Sequence, residues 1–389
     1  MKKLKQICLG MLVLPAVAWA QGPVQLQDWG QFFVGGQLVE FTGADGSKYQ
    51  EVINQNLVTF ATPTELRHPD PIVLVPGLGL TNFFYTSTPD NRRGWVEALV
   101  RQGHAVYVFD PVNYGTSPQP ATPFMMRADN NLPEGVSADT VPVPATWNYA
   151  DIWERWGIGP EENLPYPDNR IIDTHIDEFY ASWATRWGLP SGGGGRNAPA
   201  GPAPFPYEVL AGSEEDGLVQ LLEMIGPAVV AGHSAGFNMV DGTAESHPQL
   251  YTAVVALESV SCGPSWEDKS ALPFLSMFMD YAYIGRADGR LLRCANTAKA
   301  VREAGAEGDV LLLPPFPPVT DVITPEELAN LKEVGVSAGV AGNNHIFTQD
   351  NNNDKLAVAL SLWIKGRVNN PNPPANSELW SDIVAAVQD

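Results

Sequence analysis

The sequence predicts an α/β domain built on a mostly parallel sheet flanked by helices. Two observations carry this prediction. Short, β-branched apolar runs alternate with helix-period segments along most of the chain. One of those runs leads through Gly232-His233-Ser234-Ala235-Gly236 directly into a helical pattern, a sharp strand–turn–helix junction.

The predicted parallel strands are Ile72–Val75, Ala105–Phe109, Ala228–Ala231, Ala253–Leu257, Phe274–Phe278 and Val310–Leu313. Each is short and hydrophobic, as expected for strands covered on both faces. The earlier runs Gln31–Phe41 and Asn56–Phe60 are expected to pair as antiparallel strands at the sheet edge. Helices are predicted at Gly94–Gln102, Gly217–Ile225, Phe237–Ser246, Thr297–Ala304 and Pro325–Val334. A closing helix is predicted at Asp354–Ile364, with Leu360 and Trp363 on its apolar side.

More than a hundred residues separate Asp110 from Ala228, whereas a crossover needs only a helix and two short loops. The excess is read as an insertion at about 117–206. It contains Trp147, Trp153, Trp156, Trp183 and Trp187, with several other aromatics between them. The Gly-, Pro- and Ala-rich stretch Ser191–Pro206 closes it as an irregular linker. The aromatics could form a self-contained core, or the insertion could be a cap whose rings line a substrate pocket.

The N-terminus reads as a signal peptide over 1–20. Lys2, Lys3 and Lys5 precede the apolar stretch Ile7–Val17, and Ala18-Trp19-Ala20 is a small-x-small cleavage site. The apolar run is about half the roughly twenty residues a membrane span requires. A mature domain over 21–389, secreted or periplasmic and without a membrane span, is therefore expected. Cys8 leaves with the signal; Cys262 and Cys294 remain and are expected to form a disulfide in an oxidising compartment. The formal net charge of −21 argues against nucleic acid and anionic lipid as partners. It says little about substrate, and nothing in the chain fixes the oligomeric state.

The pentapeptide Gly232–Gly236 carries the chemistry. The bare pattern arises by chance in many proteins; between a buried strand and a helix it acquires a mechanism. A serine on a tight turn projects its oxygen above the sheet, and flanking glycines let neighbouring backbone approach. The helix that follows aims its amide dipoles at a developing oxyanion. Such a serine needs a base and an acid, which follow it in chain order. Of six histidines, His68, His104 and His175 precede Ser234. His233 adjoins it, and His247 falls at the end of the next helix. That leaves His345, in the turn-rich segment Gly342-Asn343-Asn344-His345. Two carboxylates end strands on the correct sheet edge, Glu258 and Asp280, and residue-level reasoning does not separate them. The oxyanion donors are expected to be the amide of Ala235 and one from Pro76-Gly77-Leu78-Gly79-Leu80-Thr81, either Leu78 or Gly79. This chemistry requires no metal and no cofactor.

From about Ile72 to Gly366 these residues resemble the α/β-hydrolase superfamily. Within it the chain is similar to a branch of secreted bacterial serine esterases, the esterase 713-like group. Asp90-Asn91-Arg92-Arg93-Gly94-Trp95 ahead of Gln102–Val108, the elbow at Gly232–Gly236, Leu257-Glu258 and Gly342–His345 carry the likeness. The resemblance implies a glutamate acid after the strand that follows the elbow. It therefore favours Glu258 and leaves Asp280 a supporting carboxylate. The chain departs from many hydrolases in reading Pro76-Gly77 where they have His-Gly; backbone donation does not need that histidine. Dehalogenase and epoxide chemistry are disfavoured, because those relatives carry Asp at the position of Ser234. The expected activity is hydrolysis of a small-molecule carboxylic ester with an apolar or aromatic group. Lactone or amide cleavage by the same residues is the alternative, and a non-catalytic binding protein on the same scaffold is a third reading.

Overall fold

A computed structural model describes residues 22–112, 116–117, 121–141, 143–145, 147–171, 175–184, 186–188, 213–262, 272–280, 289–319, 323–370, 374 and 376–388. The predicted signal segment 1–20 and the predicted linker Ser191–Pro206 lie outside the described residues.

Nine strands form one sheet. They are β1 (Leu26–Thr42), β2 (Lys48–Pro63), β3 (Ile72–Val75), β4 (Val106–Asp110), β7 (Ala228–His233), β8 (Tyr251–Leu257), β9 (Phe274–Phe278), β10 (Gly308–Leu312) and β11 (Gly335–Ser337). Their order is β1-β2-β4-β3-β7-β8-β9-β10-β11. The β1–β2 and β2–β4 pairs are antiparallel; every other pair in the sheet is parallel. β5 (Val143–Ala145) and β6 (Arg186–Gly188) make a separate antiparallel pair within the insertion.

The central parallel strands are mostly apolar on both faces because both faces are covered, whereas β1 at the sheet edge is largely exposed. Ile72 and Leu74 join one core with Val229, Ala231 and Val255; Val73 and Val75 join the opposite core with Val230, Val254 and Phe274. The first core packs against α2 (Trp95–Arg101), α10 (Asn353–Arg367) and α11 (Asn376–Gln388). The second packs against α6 (Ser213–Ile225), α7 (Gly236–Ser246), α8 (Arg290–Glu303) and α9 (Pro325–Val334). The remaining described α-helices are short: α1 (Phe83–Thr86), α3 (Thr122–Ala128), α4 (Tyr149–Arg155) and α5 (Ile176–Ala181).

Some elements differ from expectation. β1 and β2 run far beyond 31–41 and 56–60, because hairpin pairing holds polar stretches extended that apolar pattern alone does not mark. α8 begins at Arg290, not Thr297; Leu291, Cys294 and Ala295 bury its first turns. The helix after His345 is not the last: α11 follows it and buries Leu379, Trp380, Ile383 and Val387 at helical spacing. α9 occupies the predicted span, and its start has a local cause. Thr324 accepts from the Glu327 amide, Glu327 reaches back to Thr324, and Pro325 fills the first helical position.

Two features of this frame lead to measurable stability effects. Cys262, just beyond β8, is bridged to Cys294 in α8. The bridge closes a span of 32 residues, worth roughly 3–4 kcal/mol in the chain-entropy account. Replacing both cysteines by serine should lower the unfolding free energy by about that amount; urea titration of the two proteins checks it, and equal stabilities would refute it. The second feature is His104, buried after α2, with its Nε2 2.8 Å from Ser361 Oγ and its ring stacked on His68 at 3.9 Å. Burial, and secondarily His68, push its pKa down to about 3. The unfolded chain takes up that proton near pH ~6.5, so the stability tied to neutral His104 is complete above that pH and lost as pH falls toward 3. Between roughly pH 6 and 4, wild type should lose about 1.4 kcal/mol per pH unit more than His104→Gln. Parallel pH profiles for the two proteins would refute a neutral, buried His104.

Candidate active site

The sheet fixes where chemistry can occur. Strand order reverses between β3 and β7: one half of the sheet grows from β3 toward β4, the other from β7 toward β11. A crevice opens at the strand C-termini where order reverses. β3 leads there into Pro76-Gly77, and β7 leads from His233 into Ser234.

Ser234 occupies a left-handed backbone position, φ 51°. Among the described non-glycine residues, positive φ occurs at four asparagines and at Ser234 and Glu258. Asparagine tolerates this region, whereas serine and glutamate are held there at a cost of about 1–3 kcal/mol each. The elbow is over-determined by its surroundings. The Ser234 amide donates to Leu257 O at 2.9 Å. A Cβ on Gly236 would collide with the Pro76 carbonyl, so only glycine lets α7 start this close to β3.

His345 meets Ser234 from the loop after β11. Its Nε2 lies 2.9 Å from Ser234 Oγ, and its Nδ1 lies 3.4 Å from Glu258 Oε2. The second distance is long for a hydrogen bond, as is common for such contacts before substrate binds. Glu258, just beyond β8, has φ 45°; its amide donates to Met277 O at 2.9 Å, and its Oε1 accepts from the Met279 amide. That kink turns the carboxylate back toward the imidazole. Asp280 sits one strand further along. Its Oδ2 accepts from the Gly342 amide at 3.0 Å, and its own amide donates to Asn343 O at 3.0 Å. It thus braces the loop that carries His345. Burial raises its pKa, and the Gly342 hydrogen bond partly offsets that.

Sequence reasoning missed most of what positions His345. Asp350 is fully buried and accepts from the Asn343 side chain and from both the amide and the side chain of Asn344. Burial pushes its pKa up to about 7 against those donors. Arg92 donates to Asp350 O at 2.8 Å, to Gln349 O at 2.9 Å and to Asn353 Oδ1 at 3.0 Å, and it pairs with Asp90. The run of asparagines around His345 is the sequence signal that could have indicated this network. His233 lies beneath the imidazole, wholly buried, its Nε2 2.8 Å from His345 O. Burial, then His345, lower its pKa well below the ordinary value. The neutral ring therefore donates Nε2–H to that carbonyl.

Leu78 and Gly79 are the central residues of a turn closed by Leu80 N to Gly77 O at 3.1 Å. Leu78 and Ala235, like Ser234, are partly exposed, while Gly79 is buried. The insertion reaches both the Gly77–Leu80 turn and the loop that carries His345. Trp156 O accepts from His345 N at 2.8 Å, and Ala184 N donates to Gly79 O at 2.9 Å. Trp153 and Trp156 are buried in the core on this face of the sheet; Trp147 and Trp183 are only partly buried against it. The side chain of Trp187 lies outside the described residues.

No family model matches the chain. The solved structure of a bacterial esterase superimposes with a TM-score of 0.71, covering 90% of this chain and 98% of that one at 24% identity. The fold is that of an α/β-hydrolase. A fungal protein, probable secreted lipase phiG from Fungal sp. (strain ATCC 74256), is 28% identical over 258 residues, 66% of this chain and 56% of that one. The chain therefore matches little more than half the length of this curated relative. Among the described residues, no His, Cys, Asp and Glu cluster could hold a metal ion, and no helix is long and apolar enough to cross a membrane.

Proposed function

We propose that this chain is an exported serine hydrolase of carboxylic esters. The observation that carries the reading is the contact chain Ser234 Oγ to His345 Nε2 at 2.9 Å and His345 Nδ1 to Glu258 Oε2 at 3.4 Å, built on two residues held at positive φ. Ser234 Oγ attacks the acyl carbonyl and passes its proton to His345 Nε2. The carbonyl oxygen gains negative charge and is met by the amide of Ala235 and by one from Leu78 or Gly79. The tetrahedral adduct collapses, the C–O bond to the alcohol breaks, and the leaving alkoxide takes the proton from Nε2. Water then attacks the acyl-enzyme, gives a proton to Nε2, and the acid departs as that proton returns to Oγ. Glu258 keeps the imidazole in the tautomer with Nδ1 protonated and stabilises the transient imidazolium.

Insertion residues 147–184 act as a cap in this reading, with Trp147 and Trp183 offering apolar surface beside the oxyanion loop. An apolar or aromatic acyl or alcohol group is the expected substrate, in keeping with a relative named as a secreted lipase. The signal-like N-terminus and the Cys262–Cys294 bridge support export. A panel of p-nitrophenyl esters on the purified mature protein tests the specificity. Activity should rise from acetate to longer or aromatic acyl groups; equal handling of acetate and large esters would refute the apolar cleft.

A further inference from the structure

This inference deepens the proposed function and rests on it. The turn Gly77-Leu78-Gly79-Leu80 is closed by one hydrogen bond, and Gly79 has φ +76°. A positive φ at the third position, with Leu78 outside the positive-φ set, is the type II form. Type I and type II turns differ by a half-rotation of the central peptide, here the one joining Leu78 to Gly79. Glycine adopts either form with little cost. Left to itself, this loop could therefore reverse the Gly79 amide that it offers to the site.

The insertion removes that freedom. A Cβ on Gly79 would collide with the six-membered ring of Trp183, so that indole lies directly against the Gly79 backbone. The next residue, Ala184, donates its amide to Gly79 O at 2.9 Å. Trp183 is itself supported: its ring centroid lies 5.0 Å from that of Trp147 in a stacked arrangement and 5.1 Å from that of Trp156. Trp156 in turn accepts the His345 amide through its carbonyl. One aromatic wedge thus abuts the oxyanion loop on one side and the histidine loop on the other. We infer that the Trp183 ring, with Ala184 anchoring the neighbouring Gly79–Leu80 peptide, holds the Gly77–Leu80 turn in a single peptide orientation, making Trp183 a positioning residue for the oxyanion hole and not only a wall of the substrate cleft.

The test compares wild type, Trp183→Ala and Trp183→Phe with a small substrate, p-nitrophenyl acetate, and with a trifluoromethyl ketone that forms an oxyanion on Ser234. Unfolding midpoints establish that each protein is folded. Trp183→Ala should lower kcat about ten- to a hundredfold, since loss of an oxyanion donor outright costs roughly 10²–10³, while KM moves less than about threefold. Affinity for the ketone should fall by the same factor as kcat/KM. Trp183→Phe, which keeps a ring against Gly79, should recover most of both, and it carries the test alone if Trp183→Ala does not fold: its kcat and ketone affinity must then exceed those of Trp183→Leu. Unchanged ketone affinity, or an effect confined to KM for bulky esters, would leave Trp183 a pocket wall and overturn the clamp. Absence of ester turnover and of ketone binding in wild type would instead overturn the proposed function itself.

Discussion

Ser234→Ala should reduce ester turnover by about 10⁴-fold or more, as removal of a triad nucleophile does. The Oγ is the only atom removed, and its contact is His345 Nε2 at 2.9 Å. The elbow itself is held by backbone contacts, Ser234 N to Leu257 O and Gly236 against Pro76 O. The variant should therefore keep the far-ultraviolet spectrum and unfolding midpoint of wild type. Folded protein that retained more than a few per cent of wild-type kcat would assign the nucleophile elsewhere.

The second large effect separates the two carboxylates. Glu258→Gln keeps the shape of the side chain and can still accept from the Met279 amide. It loses the charge facing His345 Nδ1 and can present an N–H there, favouring the unproductive tautomer. In a comparable triad such a change costs about 10⁴ in kcat, and a loss of roughly 10²–10⁴ is expected here. Asp280→Asn disturbs the Gly342 contact, three residues before His345. It should lower kcat less than about tenfold and act mainly through the unfolding midpoint, in the range of 1–3 kcal/mol for a disrupted buried acceptor. A larger kcat loss for Asp280→Asn would reverse the roles, and equal losses would mean that the carboxylates share them.

The same pair illustrates where sequence reasoning reached its limit. Glu258 and Asp280 both end apolar strands, so strand pattern cannot rank them; only the family resemblance favoured Glu258. What distinguishes them in three dimensions is the positive φ at Glu258, a backbone feature with no mark in residue identity. By contrast, β3 and β9 were legible to the residue, because short, predominantly apolar runs serve two covered faces. The span of α9 was anticipated, and the structure shows Thr324, Pro325 and Glu327 fixing its start. That Ser234 and His345 would meet was legible because the elbow has a strand before it and because few histidines follow it. The insertion was legible as aromatic but not in how its rings divide. Trp153 and Trp156 are core, while Trp147 and Trp183 remain partly exposed, with Trp183 against Gly79. That division is set by contacts with Gly79 and His345, far away in sequence. The brace of Arg92 and Asp350 was hidden for the same reason: its partners are some 260 residues apart.

The measurement that bears most directly on the whole account is covalent labelling of the mature wild-type protein with a fluorophosphonate, followed by peptide mass spectrometry. If Ser234 Oγ is activated by His345, it displaces fluoride from phosphorus, and one phosphonyl adduct should appear on the peptide spanning Gly232–Gly236, with labelling at least about a hundredfold slower in His345→Ala. An intact, folded protein that takes no label, or that takes it on a residue other than Ser234, would contradict the account.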